Sequence, residues 1–326
     1  MLQFPSKNGA SLSKSLQTLN AAVAEKAKIL GISALSLLIV ASSQANATQQ
    51  LVSRFAQFEC EREIAIDRSR YRNVIAGKHY KDTLVIEGAE WNDTLIYGCK
   101  ISGAKGDGIQ IRNVSNVTIA DCEITDVKGT GIRIRSSGST EDVRILNNHI
   151  ENVGENGIST AKRVKQKVDH IGVIIAGNEV IDSGNLGRAG RTHGIYTQNS
   201  DVVIFNNRIA GRRDGNGISI RSSGLVSCNM ISGSSKRSKP GIRYFADNYT
   251  GPTRQLIITD NTILNASPAV ELRKPDGWTK RKPEALVVDF IITGNTSDRK
   301  PAVKLATFWK RNDDISLEIE ENSVSR

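Results

Sequence analysis

Short strands of alternating apolar and polar residues recur along this chain, and most of them open on a small residue followed by Ile. The clearest copies read GDGIQIRN, GTGIRIRS, ENGISTA, THGIYTQ, GNGISIRS and KPGIRYF, and looser copies read PAVELR and PAVKLA. Alternation with a period of two predicts β-strands that bury one face. Because the copies recur at intervals of roughly 20 to 40 residues, the chain is predicted to form a solenoid with one copy in each coil.

A second apolar strand precedes each Gly-Ile strand and ends on a shared position. That position holds Cys99, Cys122, Asn148, Asn178, Asn207, Asn229, Asn261 and Asn295. An Asn repeated in register can bond the backbone of the next coil, and Asn tolerates the left-handed conformation of a sharp corner. Since the two columns recur together in the same register, we expect a regular solenoid of about eight to ten coils.

The coils are predicted to be built from β-strands. Each offers two or three short strands rich in Val and Ile, divided by Gly, Asn, Asp and Ser. Coils that repeat in one direction can pair their strands only in parallel. The predicted fold class is therefore all-β, a right-handed parallel β-helix with an N-terminal helical cap. The helical spacing of apolar residues in 51–66 predicts that cap.

The first 47 residues have the character of a secretory signal peptide. The apolar run 29–43 is short for a membrane span, Lys26 and Lys28 precede it, and Ala45-Asn46-Ala47 follows as a cleavage site. An uncleaved anchor is the alternative. The predicted organisation is a signal peptide at 1–47, a cap at 48–82, the β-helix at 83–307 and a C-terminal cap or tail at 308–326. We expect an exported protein, periplasmic or secreted in a bacterium, that meets the membrane only through the signal segment before cleavage.

Four cysteines are too few for a disulfide scaffold. Cys99 and Cys122 share a column on consecutive coils, so they should lie about 4.8 Å apart, within the range of a disulfide. Side chains that stack in parallel aim poorly at each other, so we expect two stacked, unbonded thiols, with a disulfide as the alternative. Cys228 is expected in the core.

The blocks DGIQIRNVSNVTIADCEI and THGIYTQNSDVVIFNNRI resemble the repeats of right-handed parallel β-helix proteins of the pectate-lyase-like superfamily. The resemblance covers about residues 83–307. It implies the fold but no single reaction, because the superfamily includes pectate and alginate lyases, polygalacturonases, mannuronan epimerases, phage tailspikes and non-catalytic surface proteins.

Alignment of the Gly-Ile strands places three columns of residues on one outward face. The first column contains Gln110, Arg133, Ser159, Tyr196, Ser219, Arg243 and Glu271. The second contains Arg112, Arg135, Ala161, Gln198, Arg221, Phe245 and Arg273. The third, just before the Gly, contains Asp107, Thr130, Asn156, His193, Asn216 and Pro240. Stacked arginines repel one another, so we expect bound anions or interleaved acids on this face. A solvated basic face is the alternative.

Long insertions flank the coil that contains His193. On a solenoid, insertions become walls on one side, and walls beside a basic face form a cleft for an extended chain. Trp278, in a later loop, could stack on a sugar or pack its own loop. The predicted substrate-binding residues are Arg112, Arg133, Arg135, Asn156, Ser159, Lys162, Arg188, Arg191, Gln198, Asp214, Asn216, Ser219, Glu271 and Arg273.

His193, Tyr196, Arg221 and Arg243 are the predicted catalytic residues. The resemblance implies a lyase chemistry in which a Lys, Arg, His or Tyr base removes the proton beside a uronate carboxylate while a cation neutralises that carboxylate. His193 or Tyr196 would act as base or acid, and Arg221 and Arg243 would hold the carboxylate.

Other reactions of the superfamily fit the sequence less well. Where polygalacturonases have paired Asp residues this chain has Gly129 and Thr130, and where they have His it has Asn156. The Asp-Pro-His-Asp signature of mannuronan epimerases is absent, since the comparable strand reads GIYTQNSD. The acids on the face are scattered, so we expect no calcium or other metal site and no cofactor.

The sequence therefore predicts a metal-independent polysaccharide lyase that acts on an acidic exopolysaccharide. The alternatives are a C5 epimerase of a uronate polymer and a non-catalytic, polysaccharide-binding or surface-structural β-helix. The net charge of +10 favours an anionic partner. An acidic polysaccharide is expected rather than nucleic acid, because the chain is predicted to be exported and has no basic motif interleaved with aromatics. The oligomeric state stays open.

Overall fold

The computed structural model describes residue 60 and residues 64–161, 168–186, 191–199, 201–211, 215–233, 239–246, 254–273, 287–311 and 314–325. Every described residue belongs to one compact unit, Ala56–Arg326. The predicted signal peptide and most of the predicted helical cap lie outside the described residues. Lys162, Arg188, Asp214 and Trp278 do so as well.

Three parallel sheets form the described part of the chain, and each coil contributes one strand to each sheet in turn. Sheet A contains β1 (Asn73–Ala76), β4 (Thr94–Tyr97), β7 (Val114–Ala120), β10 (Thr140–Leu146), β14 (Ile174–Ala176), β17 (Val202–Phe205), β20 (Gly224–Ser227), β23 (Gln255–Thr259), β26 (Asp289–Thr293) and β29 (Ser316–Glu320), with β13 (His170–Ile171) beside β10. Sheet B contains β2 (His79–Tyr80), β5 (Lys100–Ser102), β8 (Glu123–Thr125), β11 (His149–Val153), β15 (Glu179–Ser183), β18 (Arg208–Ala210), β21 (Met230–Ser232), β24 (Thr262–Leu264), β27 (Thr296–Ser297) and β30 (Ser323–Val324). Sheet C contains β3 (Leu84–Glu87), β6 (Ile109–Arg112), β9 (Ile132–Ile134), β12 (Ile158–Thr160), β16 (Ile195–Thr197), β19 (Ile218–Ile220), β22 (Ile242–Phe245), β25 (Val270–Arg273) and β28 (Val303–Leu305).

This architecture confirms the predicted all-β parallel β-helix. The helical elements of the described residues are two short 3-10 turns, Arg68–Arg70 and Ala89–Trp91, and the α-helix Thr307–Lys310. Strands begin at residue 73 and continue to residue 324, so the coils extend past both limits, 83 and 307, that the repeats indicated. Within the described part of the chain, no helix has the length and apolarity needed to cross a membrane.

The Ile of each Gly-Ile strand builds the core. Ile132 of β9 pairs with Ile158 of β12, which pairs with Ile195 of β16, and all three are fully buried. Identical β-branched side chains stack at the strand spacing without leaving gaps, which explains why the sequence repeats Ile at this position. The Gly before each Ile is required by close packing, since a Cβ on Gly131 or Gly157 would collide with a neighbouring coil.

The predicted Asn column forms a ladder of buried amides. The backbone N–H of Asn178 donates to Oδ1 of Asn207 at 3.0 Å, and the N–H of Asn207 donates to Oδ1 of Asn229 at 2.9 Å. Each side-chain amide also donates to a carbonyl, as Asn207 does to Ile175 at 2.9 Å. The left-handed corner lies one residue earlier, with Asn206 at φ 51° and Cys228 at φ 59°. The Asn column therefore joins the coils, and the preceding residue makes the turn.

Two expectations about the cysteines were wrong. Cys99 and Cys122 are joined by a disulfide, with 4.6 Å between their Cα atoms, because parallel coils bring the two positions within bonding range. Cys228 lies at the left-handed corner rather than in the core, and it forms a disulfide with Cys60, with 5.1 Å between their Cα atoms.

The N-terminal segment crosses the outer face of sheet A. The carbonyl of Ile64 accepts a hydrogen bond from Asn147 Nδ2 at 3.0 Å, and the guanidinium carbon of Arg68 lies 4.4 Å from the centre of the Tyr97 ring. The segment that contains Ile64 and Arg68 therefore covers part of the outer face of sheet A.

At the other end of the chain, Trp309 is buried and packs against Phe290 and Tyr244.

Candidate functional site

The first predicted column forms one ladder along the outer face of sheet C. Tyr196 pairs with Ser159 on one neighbouring strand and with Ser219 on the other, and Arg243 pairs with Ser219 and Glu271. The complete ladder is Val85, Gln110, Arg133, Ser159, Tyr196, Ser219, Arg243, Glu271 and Lys304. The predicted register therefore corresponds to a continuous surface of the β-helix.

At the N-terminal end of this face, the arginines bind acids of the chain itself. The ion pairs are Arg112 with Glu87, Arg133 with Asp107 and with Glu155, and Arg135 with Asp107. Arg133 lies 3.3 Å from Asp107, which is almost fully buried, and it contacts the more exposed Glu155 on its other side. Acidic residues of the chain therefore lie between these arginines, which were predicted to bind substrate, and offset the repulsion between their positive charges.

The middle coils stack guanidinium groups on aromatic rings. The guanidinium carbon of Arg221 lies 4.8 Å from the ring centre of Tyr196 and 4.8 Å from that of Phe245. The guanidinium carbon of Arg273 lies 5.0 Å from the same Phe245 ring, and the His193 ring is parallel to Tyr196 within 10° at 5.8 Å. We call this set of five residues the arginine–aromatic stack. It brings together four residues predicted to act in catalysis or binding, and Phe245, on four successive coils.

Phe245 is the member of the stack that was not predicted to act in catalysis or binding. It occupies the second column between Arg221 and Arg273, and four of the seven residues of that column are arginines. A lone aromatic residue between arginines in one column is the signal that could have identified it, because cations stack on aromatic faces.

Arg243 forms an ion pair with a carboxylate of the chain. Its Nε donates to Oε2 of Glu271, and Nζ of Lys304 lies 3.8 Å from Oε1 of the same carboxylate. Burial, and then the nearby Arg273, lower the pKa of Arg243, while the ion pair with Glu271 opposes the change. Glu271 was predicted to bind substrate, and the register places it directly opposite Arg243, with which it forms an ion pair.

The third column forms a second hydrogen-bond ladder, and His193 is one of its rungs. The N–H of His193 donates to Oδ1 of Asn156 at 2.8 Å, and the N–H of Asn216 donates to Nδ1 of His193 at 2.9 Å. A nitrogen that accepts a backbone N–H carries no proton, so the neutral ring has its proton on Nε2. The Nδ1 atom of His193 is therefore engaged in the fold.

The ladder stops at the next coil. Pro240 follows Asn216 in the third column and has no N–H to donate to the Asn216 side chain. Among the residues that the structure describes, the buried Asn216 Nδ2 and Ser219 Oγ have no hydrogen-bond partner. Buried donors without partners are rare and mark positions where a bound molecule or water completes the bonding. Both atoms belong to the coil between Tyr196 and Arg243.

The other predicted binding residues take smaller parts. Ser159 is buried in the first ladder, the N–H of Gln198 donates to Oγ1 of Thr160 at 3.0 Å, and Arg191 is exposed. In the described ranges, no group of three or more His, Cys, Asp or Glu side chains is arranged to hold a metal ion.

Comparison with known protein families supports the fold. Residues 64–171 match the family model described as the right handed beta helix region. No curated protein matches the sequence. Similar solved structures include the catalytic unit of a thermostable GH87 α-1,3-glucanase from Streptomyces thermodiastaticus strain HF3-3, at 11% identity over 73% of this chain and 50% of that chain, with a TM-score of 0.47. An alginate lyase from Paenibacillus sp. str. FPU-7 is 14% identical over 72% of this chain and 91% of that chain, with a TM-score of 0.38. The chain thus spans about half the length of the glucanase unit.

Proposed function

We propose that this right-handed parallel β-helix repeat protein is an exported, polysaccharide-active protein, and that it cleaves an acidic exopolysaccharide as a metal-independent lyase. The observation that carries the proposal is the position of Arg221 between the rings of Tyr196 and Phe245. Stacking on both faces directs the N–H groups of a guanidinium sideways, in its own plane. That planar fork matches a carboxylate, the group that distinguishes uronate sugars from neutral ones.

In the proposed reaction, Arg221 binds the carboxylate of one sugar and places the adjacent carbon beside the Tyr196 hydroxyl. The deprotonated Tyr196 removes the proton from that carbon, and the electron pair left behind is delocalised into the carboxylate. Arg221, backed by Arg243, stabilises the growing negative charge. The pair then forms a carbon–carbon double bond as the bond to the glycosidic oxygen breaks, and Tyr196 returns its proton to that oxygen.

Tyr196 is a better base than His193 for a geometric reason. The Nδ1 atom of His193 accepts the Asn216 N–H, and its Nε2 atom carries the proton of the neutral ring, so neither nitrogen offers a lone pair to a substrate. The Tyr196 ring lies between His193 and the Arg221 cation. Arg221 provides the positive charge that a phenolate needs nearby.

Export and an acidic partner rest on sequence features. The apolar run 29–43 with its small-residue cleavage site supports secretion, and the net charge of +10 supports an anionic polymer. Arg273 adds to this argument, because its side chain is exposed at the end of the arginine–aromatic stack and has no ion pair with the described residues.

The proposal is tested by incubating purified protein with a panel of uronate polymers and neutral glucans. We expect unsaturated sugar ends, detected by ultraviolet absorbance, from at least one uronate polymer and from no neutral glucan. Exchange of the sugar proton with solvent, without chain shortening, would identify a C5 epimerase instead. Binding without either reaction would overturn the enzymatic proposal and leave a polysaccharide-binding protein.

A further inference from the structure

We infer that His193 is a positioning residue, which holds the Tyr196 ring in its place in the arginine–aromatic stack rather than exchanging protons with the substrate. The hydrogen bonds of His193 and its parallel contact with the Tyr196 ring carry the geometric part. Its kinetic consequence rests on the proposed function.

The third column shows what His193 adds to the fold. Asn156 and Asn216 occupy the same position on the coils before and after it. The Asn156 amide accepts the N–H of the next coil at 2.8 Å, and the His193 imidazole does the same for Asn216 at 2.9 Å. An Asn at position 193 would therefore supply the ladder bond. What only the imidazole supplies is a flat ring parallel to Tyr196.

His193 is fixed from several directions. Its own N–H donates to Asn156, and its carbonyl accepts from the N–H of Gly157 at 3.1 Å and from Ser183 Oγ at 3.3 Å. The residue is only 4% exposed. The next coil leaves room for the ring at Gly215, where an added Cβ would collide with the imidazole.

This rigidity passes to Tyr196 through ring contact. Tyr196 stacks on the fixed imidazole, and Arg221 of the next coil lies over the Tyr196 ring at 4.8 Å. A tyrosine that must point its hydroxyl at one carbon loses rate when its ring can rotate away. His193 therefore acts on the reaction through Tyr196.

Two substitutions separate the ring from the ladder bond. His193→Asn keeps an oxygen where Nδ1 lay and removes only the ring, whereas His193→Ala removes both. His149→Asn, on sheet B, is the control for kcat, which it should leave unchanged. We expect His193→Asn to unfold at the same denaturant concentration as the wild type and to lower kcat about two- to tenfold with KM unchanged. The pH profile of kcat should keep its shape, and His193→Ala should also lower the unfolding midpoint.

Two results would overturn the inference. If His193→Asn retains full kcat, the stack has no positioning role. If it loses activity by about a thousandfold or more and one limb of the pH profile disappears, His193 itself transfers the proton.

Nuclear magnetic resonance keeps the inference testable even if no polymer is cleaved. The ring protons of Tyr196 should shift in His193→Asn, and the nitrogen signals of His193 should show a proton on Nε2 and none on Nδ1. An unchanged Tyr196 spectrum, or a proton on Nδ1, would contradict the geometry independently of any activity.

Discussion

The guanidinium carbon of Arg221 lies 4.8 Å from the centre of the Tyr196 ring. The two residues occupy different outward columns on adjacent coils, because Tyr196 pairs with Ser219 and Arg221 follows two positions later. Their contact is therefore diagonal across sheet C. It places a cation suited to carboxylates over the ring of a tyrosine, and the reaction proposed for this protein depends on that pairing.

Replacement of Arg221 should weaken the reaction more than it weakens the fold. We expect Arg221→Ala to lower kcat/KM by about 100- to 1000-fold, since it removes the main charge that stabilises the transition state. Arg221→Lys should recover only part of this loss, because an ammonium lacks the planar fork and stacks less well. Steady-state kinetics with the polymer that the wild type cleaves gives both values of kcat/KM.

The control for Arg221 is Arg208→Gln on sheet B, where Arg208 forms an ion pair with Glu179. This substitution should leave kcat/KM unchanged. Equal losses in Arg221→Ala and Arg208→Gln would show that net charge, and not the arginine–aromatic stack, drives activity.

The register of the fold could be predicted because one residue type repeats in one place. Ile at each Gly-Ile strand and Asn just after each corner can occupy only equivalent positions of successive coils, so the outward columns followed by counting. Side-chain partners do not follow from counting. Whether Arg133 meets Glu155 or a ligand depends on rotamers and neighbouring loops, and so does the ion pair between Glu271 and Arg243. Cys60 could not be matched to Cys228, since nothing in the repeat shows where a segment outside it crosses.

The Asn ladder should contribute strongly to stability. Asn207 is 1% exposed, and its side-chain amide bonds Ile175, Phe205 and Asn229. Truncation by Asn207→Ala leaves several buried backbone groups unsatisfied, so we expect a loss of about 2–5 kcal/mol in the free energy of unfolding.

The matched control for Asn207 is Asn113→Gly, at an exposed corner with φ 53°. Glycine adopts that conformation without strain, so this variant should unfold within about 0.5 kcal/mol of the wild type. Denaturant titration followed by circular dichroism measures both. Similar stabilities for the two variants would show that the ladder contributes little.

The disulfide between Cys60 and Cys228 should stabilise the protein by closing a long loop. Its two ends are separated by 168 residues in sequence, so it removes much conformational entropy from the unfolded chain. We expect Cys60→Ser to lower the free energy of unfolding by about 2–5 kcal/mol. A denaturant midpoint that is the same with and without Cys60, under oxidising conditions, would contradict this role.

His149 on sheet B should make stability depend on pH. Burial works against its charged form, but hydrogen bonds with Glu151 and Glu179 outweigh burial and raise the pKa of His149. Its contribution is therefore complete below the unfolded value of about 6.5 and is lost as pH rises through the higher folded pKa.

The test for His149 compares the unfolding free energies of the wild type and His149→Asn across this range. The wild type should be more stable than His149→Asn near pH 6, and this difference should be smaller near pH 9. Thr296→Asn, in the same outward column of sheet B, is the control and should show no such trend. A difference that grows with pH would reverse the assignment.

The central claim is that the Tyr196 hydroxyl transfers the proton in a cleavage reaction. The most direct measurement is the initial rate of unsaturated-end formation from the preferred uronate polymer by the wild type, Tyr196→Phe and Tyr97→Phe. Tyr97 also lies under an arginine, Arg68, but on sheet A, so it controls for loss of a phenol beside a guanidinium. We expect no detectable product from Tyr196→Phe, with polymer binding retained, and the wild-type rate from Tyr97→Phe. Wild-type product formation by Tyr196→Phe would contradict it.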